Sequence, residues 1–499
     1  MEPTREQHYR RRIAELERQV RERDERITIL EHRVCLRDEQ IAILEQQVAQ
    51  LTAQVAQLMA QVAKLSKNSS NSSKPPSSDI VKPPKTPASK DGKKGKKKRK
   101  IGGQPGHEKQ DRKPFGPEEL DDTWFYTCPC CPDCGGEVMS SRKPDRVVQQ
   151  VELVKPVEVT EHRSRACWCP RCRKTHYAPL PEEVARGGLV GPRLTALVAY
   201  LKGACHASFT TIRKFFRDVL KMKISRGQLA KLINKATASL NGMYAEFLAC
   251  LPAEARLNVD ETGHHENGQA LWTWCFRAEL YTLFKIDPSR GSDVLIATLG
   301  EEFEGVLGCD YFSAYRKYMK DFDIVVQFCL AHLIRDVKFL TTLNDKATKN
   351  YGQRLLKALR DLFRVIHRRE QMTPERFQRA LEKARKAVLD VGRRAPPRTE
   401  ALNLAKRFRK HGKAYFQFIT TPGIEPTNNL AEQAIRFVVI DRKVTQGTRS
   451  ENGRRWCERI WTLIATCAQQ GRSVFDFLQE SITAYLRGQP APSLIPVNP

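Results

Sequence analysis

The chain has 499 residues, too many for one ordinary hydrophobic core, so three or more folding units are expected. Lys and Arg number 85 against 57 Asp and Glu, a formal charge of +28 with an isoelectric point near 9.6, and such an excess points to a polyanionic partner, most often nucleic acid. No run of about 18 apolar residues argues for a membrane span, the start Met1-Glu-Pro-Thr-Arg-Glu-Gln-His lacks an apolar signal core and suggests a cytoplasmic protein, and the 15 cysteines are therefore not read as a secreted disulfide framework.

From Ile13 the apolar residues follow a heptad. Positions a are Ile13, Val20, Ile27, Val34, Ile41, Val48, Val55 and Val62; positions d are Leu16, Arg23, Leu30, Arg37, Leu44, Leu51, Leu58 and Leu65. β-Branched residues at a with Leu at d favour a parallel two-stranded coiled coil, with Arg23 and Arg37 costing stability but fixing register. A coiled-coil zipper over 8–65 that makes a homodimer or higher oligomer is expected. One long helix packed on its own protein, or a different zipper partner, is the alternative.

Residues 66–115 read as a disordered basic linker. Ser66-Lys-Asn-Ser-Ser-Asn-Ser-Ser-Lys-Pro-Pro-Ser-Ser-Asp79 offers nothing to a core, and Pro-Pro cannot continue a helix. Then come Lys93, Lys94, Lys96, Lys97, Lys98, Arg99 and Lys100, a cationic arm suited to lie along phosphates and release counterions. Such an arm supplies affinity rather than sequence discrimination.

Over 120–182, Cys131-Pro-Asp-Cys134 and Cys169-Pro-Arg-Cys172 form two C-x-x-C knuckles. Arg146-Val-Val-Gln-Gln-Val-Glu-Leu-Val and Val157-Glu-Val-Thr-Glu-His between them read as alternating strands. The pattern predicts a zinc-ribbon-like unit holding one structural zinc on four thiolates. Cys128-Pro-Cys-Cys131 offers a competing register, and metal-free thiols remain the alternative.

Residues 190–251 read as three helices in a helix-turn-helix-like unit: one opened by Pro192, one after Ser208, and one begun by the capping pattern Ser225-Arg-Gly-Gln228. Any small helical bundle would share this pattern. In Arg256-Leu-Asn-Val-Asp260-Glu-Thr-Gly263 a buried strand of about five residues ends on a carboxylate. Two further strands and a helix precede a second apolar run, Gly305-Val-Leu-Gly-Cys-Asp310, which also ends on an acid. Glu432 follows 122 residues after Asp310, one turn into a predicted helix, and the interval is helix-rich and basic. Two strand-borne Asp and one helix-borne Glu suit two divalent cations roughly 3.5–4 Å apart, the arrangement used in phosphodiester chemistry. Each acid alone is as readily a strand-end or capping residue. Glu261 is expected to face away from Asp260.

The words Asp260-Glu-Thr, Asp310-Tyr-Phe-Ser-Ala-Tyr, Cys329-Leu-Ala-His332 and Asn428-Asn-Leu-Ala-Glu432 together resemble the insertion sequence sixty-six family of transposases, in its TnpC-type large subunit, within the DDE ribonuclease-H-like superfamily. The resemblance runs through nearly the whole chain. It implies a multidomain α+β architecture: coiled coil, zinc ribbon, helical unit, and a ribonuclease-H-like α/β core over 255–332 and 421–488, interrupted by a helical insertion over 333–420 and followed by a tail over 489–499. It implies that Asp260, Asp310 and Glu432 bind two magnesium or manganese ions for DNA cleavage and strand transfer. The implied partners are transposon ends, target DNA and companion transposition proteins, in a bacterial, nucleoid-associated setting. Cys329 and His332 are read as a buried structural pair near the active site, and Arg335, Arg442 and Lys443 as phosphate contacts. The stretch Thr445-Gln-Gly-Thr-Arg-Ser-Glu-Asn-Gly453 departs from the aromatic-containing stretch of relatives. A DNA-binding repressor or accessory factor that has lost catalysis, and a metal-dependent structure-selective nuclease, are the rival readings.

Overall fold

A computed structural model describes residues 5–65, 116–120, 123, 133–134, 149, 157–164, 166–169, 171, 174–177 and 179–496. The expected basic linker with Lys93, Lys94, Lys96, Lys97, Lys98, Arg99 and Lys100, as well as Cys131 and Cys172, lies outside the described residues. In chain order the elements are α1 (Arg5–Leu65), β1 (Ala166–Cys169), β2 (Lys174–Tyr177), α2 (Glu182–Gly187), α3 (Pro192–Gly203), α4 (Phe209–Asp218), α5 (Arg226–Ser239) and α6 (Asn241–Cys250). They continue with β3 (Arg256–Glu266), β4 (Gln269–Arg277), β5 (Thr282–Asp287), α7 (Ser292–Leu299), β6 (Val306–Cys309), α8 (Ser313–Asp321), β7 (Val326–Phe328) and α9 (Leu330–Thr341). The rest is helical: α10 (Lys346–Ile366), α11 (Pro374–Arg393), α12 (Thr399–His411), α13 (Gln417–Thr420), α14 (Asn429–Thr445), α15 (Glu451–Gln470) and α16 (Val474–Leu486). The fold is thus mixed α+β, mostly helical, with one five-stranded sheet. Among the described residues no helix is long and apolar enough to cross a membrane.

The chain divides into two compact units, one built on 240–474 with α1 and the residues from 493, the other on the described residues of 82–239 with 475–492. In the first, α1 is 61 residues long, about 90 Å at the helical rise. Its described heptad residues Ile13, Leu16, Val20, Ile41, Leu44, Val48, Leu51, Val55 and Leu58 are 45–61% exposed.

The sheet has the order β5-β4-β3-β6-β7. β3, β4 and β5 form an antiparallel meander, whereas β6 and β7 run parallel to β3. β3 differs from expectation: it does not stop at Asp260 but runs to Glu266, because β4 keeps pairing with it down to Glu266↔Gln269. Asn267 and Gly268 turn the hairpin with φ of 47° and 84°, left-handed values that Asn and Gly tolerate best. Trp274, Phe276, Leu283 and Phe284 of the meander are buried, as are Leu295 and Leu299 of α7.

The outer edge of β5 is closed by side chains. Thr282, Phe284 and Ile286 donate their backbone N–H groups to Thr466 Oγ1 (3.1 Å), Thr462 Oγ1 (3.0 Å) and Glu458 Oε1 (2.8 Å). Alternate strand residues thus meet α15 residues four apart, one face of a helix. Between α9 and α13, α10, α11 and α12 pack on Tyr351, Leu355, Leu359, Val388, Leu404 and Phe408. They fill the helix-rich interval expected between Asp310 and Glu432.

Over 190–251 four helices form where three were expected: α3, α4 and α5 belong to the second unit, and α6 is a separate helix of the first. Pro192 opens α3, Ser208 caps α4 by accepting from Thr211 N (3.0 Å), and Ser225 Oγ accepts from Gln228 N (3.1 Å) at the start of α5. Val198, Ile212, Phe216, Leu229 and Leu232 form its core. Val157–His162 forms no strand, and Val159 is 90% exposed; the expected strand from Arg146 to Val154 lies, apart from Gln149, outside the described residues. A hairpin is formed by β1 and β2, paired from Ala166↔Tyr177 to Cys169↔Lys174 around the second cysteine knuckle.

Candidate active site

The parallel part of the sheet fixes the positions of the predicted acids. Asn258 of β3 is level with Gly308 of β6, which is level with Gln327 of β7. Two residues further along each chain stand Asp260, Asp310 and Cys329. The carboxyl ends of adjacent parallel strands are where open α/β sheets hold ligands. Gly308 is required there, since a Cβ would lie 2.5 Å from Asn258 Nδ2.

Glu432 reaches this edge because the start of α14 is tied to it. Asn428, buried at the N-cap, donates from Nδ2 to Val259 O (2.8 Å) and accepts from Asn258 Nδ2 at Oδ1 (2.9 Å). Its backbone N–H points at Cys329 Sγ (3.1 Å), and Leu330 N donates to Pro426 O (3.0 Å). Asn428 is the N-cap of α14 and makes no side-chain cap bond, its amide being engaged by β3. Glu432 sits one turn on, 28% exposed, with Oε1 and Oε2 at 3.3 and 3.4 Å from Arg335 Nη2.

Like charges crowd this edge. Burial raises the Asp260 carboxyl well above its ordinary range, and Glu261, Asp310 and Glu432 raise it further. Asp260 nonetheless keeps part of its surface open to solvent. Asp310 is pushed up to about 7 by burial and by Glu261, against the opposing pull of Phe312 N, which donates to its Oδ1 at 2.8 Å, and of Arg290. Burial also raises Glu432, with Arg335 holding it down. His332 is lowered to about 4 by burial and by Arg335, so its ring is neutral at pH 7.

Glu261 was read from sequence only as facing away from Asp260, and its partners at the site were not singled out. Glu261, adjacent to Asp260, is almost fully buried and neutralised: Arg290 donates Nε and Nη2 to its Oε1 (3.0 and 2.7 Å), and Tyr315 OH bonds its Oε2. Arg290 is itself sandwiched between the rings of Trp272 (4.3 Å) and Phe312 (3.9 Å), a stacking that a guanidinium favours. Tyr311, next to Asp310, is faced by Arg316 (4.7 Å) and Arg407 (4.5 Å), and Arg407 pairs with Asp336 at 2.7 Å. The doubled Asn428-Asn429 and the Arg290 that follows β5 were the sequence signals available for these roles.

The expected phosphate contacts differ in setting. Arg335 is engaged by Glu432 rather than free. Arg442 donates to Thr262 Oγ1 at 3.2 Å beside β3, half-buried, and Lys443 is exposed. The stretch after α14 pairs with the end of β3: Thr448 N donates to His265 O and Asn267 N to Thr448 O, each at 2.9 Å. Gly447 has φ of 87°, and a Cβ there would lie 2.2 Å from His265 O. Of the zinc candidates, Cys134 is exposed and Cys169 ends β1.

A family model described as "Transposase IS66 family" matches residues 187–455, a span that contains Asp260, Asp310, Cys329, His332 and Glu432. A second, described as a family of unknown function (DUF6444), matches residues 3–113. Two curated proteins of Sinorhizobium fredii are similar: "Uncharacterized protein y4qI" at 25% identity, aligned over 64% of this chain and 64% of that protein, and "Uncharacterized protein y4hP" at 22%, aligned over 68% and 67%. The alignment therefore spans less than two thirds of the first relative's length.

Proposed function

The chain belongs to the IS66 family of transposases, and from that premise we propose that it cuts and joins DNA at the ends of an insertion sequence, with Asp260, Asp310 and Glu432 as its DDE triad. The observation that carries this reading is the convergence of Asp260 within β3 and Asp310 just past β6, each two residues beyond a paired position, with a helix-borne glutamate tied to the same sheet. The order β3, β4, β5, α7, β6 and the antiparallel–parallel sheet support a ribonuclease-H-like core, with α10 to α12 as its insertion.

The residues fit two divalent cations. Carboxylate oxygens are the hard donors that magnesium and manganese take. Burial and the neighbouring carboxylates raise both Asp260 and Asp310 above the ordinary carboxylate range, a cost that bound cations remove. Magnesium or manganese, when bound there, activates the attacking hydroxyl and stabilises the leaving oxygen. The chain's own part is positional. Asn428 fixes the height of Glu432 above β3, Arg290 and Tyr315 keep Glu261 out of competition for the cations, and Arg442 and Lys443 offer charge to the DNA backbone. The exposed seam of α1 fits homodimerisation through a parallel zipper, and the cysteine knuckles fit a zinc ribbon, each as a separate part of the proposal.

The test is magnesium-dependent processing of DNA carrying the gene's own flanking sequence, by wild type and Glu432→Gln. Cleavage with 3′-end joining, lost in Glu432→Gln while DNA binding persists, is the expected result. Cleavage without joining identifies a nuclease. Binding without processing in either protein, even with companion proteins added, identifies an accessory factor and overturns the assignment.

A further inference from the structure

The word Cys329-Leu330-Ala331-His332 has no part in the acid triad, yet its two heteroatom side chains converge on Glu432. The ligand atoms of Cys329, His332 and Glu432 all lie within 4.8 Å of one another. The surroundings of each argue for a built site. Cys329 is the N-cap of α9, and its sulfur receives the backbone N–H of Asn428 at 3.1 Å and those of Ala331 and His332. Burial raises the Cys329 thiol, and these N–H groups at the helix N-terminus only partly oppose it, so the sulfur's place beside His332 and Glu432 is what marks it as a ligand. His332 is 91% buried, and its Nδ1 has no hydrogen-bond partner. That nitrogen lies 3.3 Å from Glu432 Oε1 without the alignment of a hydrogen bond. In the tautomer that leaves Nδ1 unprotonated, its lone pair and the carboxylate oxygen at that distance are joined by a cation between them. The Asn428 clamp holds both supporting elements, since it grips β3 with its amide and Cys329 with its N–H.

We propose that Cys329, His332 and Glu432 form a three-ligand zinc site, with the fourth position left to water. One thiolate, one imidazole and one carboxylate form a borderline-soft set that selects zinc, whereas the all-oxygen set of Asp260 and Asp310 selects magnesium. Loading releases the Cys329 thiol proton to solvent as the Zn–S bond forms. Zinc takes over the neutralisation of Glu432 that Arg335 supplies at 3.3 and 3.4 Å. It pins the first turn of α14 to the first turn of α9. The inference goes beyond the triad reading and shares only Glu432 with it.

The experiment uses the full-length chain carrying Cys131→Ser and Cys134→Ser, so that the first N-terminal knuckle cannot hold metal. After loading with zinc and dialysis, the zinc content is compared with and without Cys329→Ala and His332→Ala. One zinc fewer per chain in each variant is expected, with unchanged circular dichroism. Cobalt replaces zinc in a parallel loading, and a thiolate-to-cobalt charge-transfer band that Cys329→Ala removes is expected. Should either variant fold poorly, the cobalt spectrum of the parent chain decides, and absence of any thiolate band overturns the site. Equal zinc content in parent and variants overturns it as well. Asp260→Asn separates the two readings: it keeps this zinc while magnesium-dependent cleavage is lost. Retained cleavage in Asp260→Asn would break the triad and leave the zinc site standing.

Discussion

Replacing Asp310 by Asn should stabilise the metal-free protein, and the size of the gain follows from the electrostatics of the sheet edge. An unfolded Asp titrates near 3.8, and burial with Glu261 alongside pushes Asp310 up to about 7. Between those values the folded protein keeps a proton that the unfolded chain has released, so stability falls as pH rises through this window and the full penalty is present above it. A displacement of that size corresponds to about 4 kcal/mol. Asn keeps the shape and can still accept from Phe312 N, which donates to Asp310 Oδ1 at 2.8 Å. Partial solvent access makes a gain of about 2–4 kcal/mol at pH 8 the expectation, shrinking towards zero near pH 4. The assay is urea unfolding in magnesium-free buffer, read by the fluorescence of the buried Trp274 and Trp461. Adding magnesium should stabilise wild type and leave Asp310→Asn nearly unmoved. Equal midpoints for the two proteins at pH 8 without magnesium would refute the argument that the acids are mutually strained.

Asn428→Ala removes two buried hydrogen bonds and leaves Val259 O without its donor, so urea unfolding should show a loss of about 2–4 kcal/mol. Cleavage should fall through kcat more than through KM, since Glu432 loses its height while the DNA surface stays. Gly447→Ala combines a left-handed φ of 87° with a Cβ 2.2 Å from His265 O. It should detach the loop from β3 and cost about 1–3 kcal/mol, read as a lower thermal midpoint.

The helices and strands around Asp260 and Asp310 were legible because their apolar periods are regular and their acids end or interrupt short buried runs. The length of β3 was not, since residues 261–266 carry Thr, Gly, His and Glu and owe their strand geometry to six pairings with β4 rather than to their own propensity. The role of Asn428 was hidden for a related reason. A local reading sees an Asn beside a capping sequence, whereas its amide is occupied by Val259 and Asn258, 169 and 170 residues away. Glu261 illustrates the converse: alternation separates it from Asp260 along the strand, but only the fold brings Arg290 and Tyr315 to neutralise it. The helices α10 to α12 were visible as a helix-rich interval between Asp310 and Glu432.

The side-chain ladder on β5 bears on how the chain is made. Until residues 458–466 have been synthesised, Thr282, Phe284 and Ile286 present three N–H groups along an open strand edge, a template on which a second nascent chain can pair. A product terminated before Glu458 is therefore sticky as well as incomplete. Helix α15, which closes the sheet edge, is thus also a safeguard against aggregation during translation, and polysomes, where many unfinished copies crowd together, are where its absence is felt most.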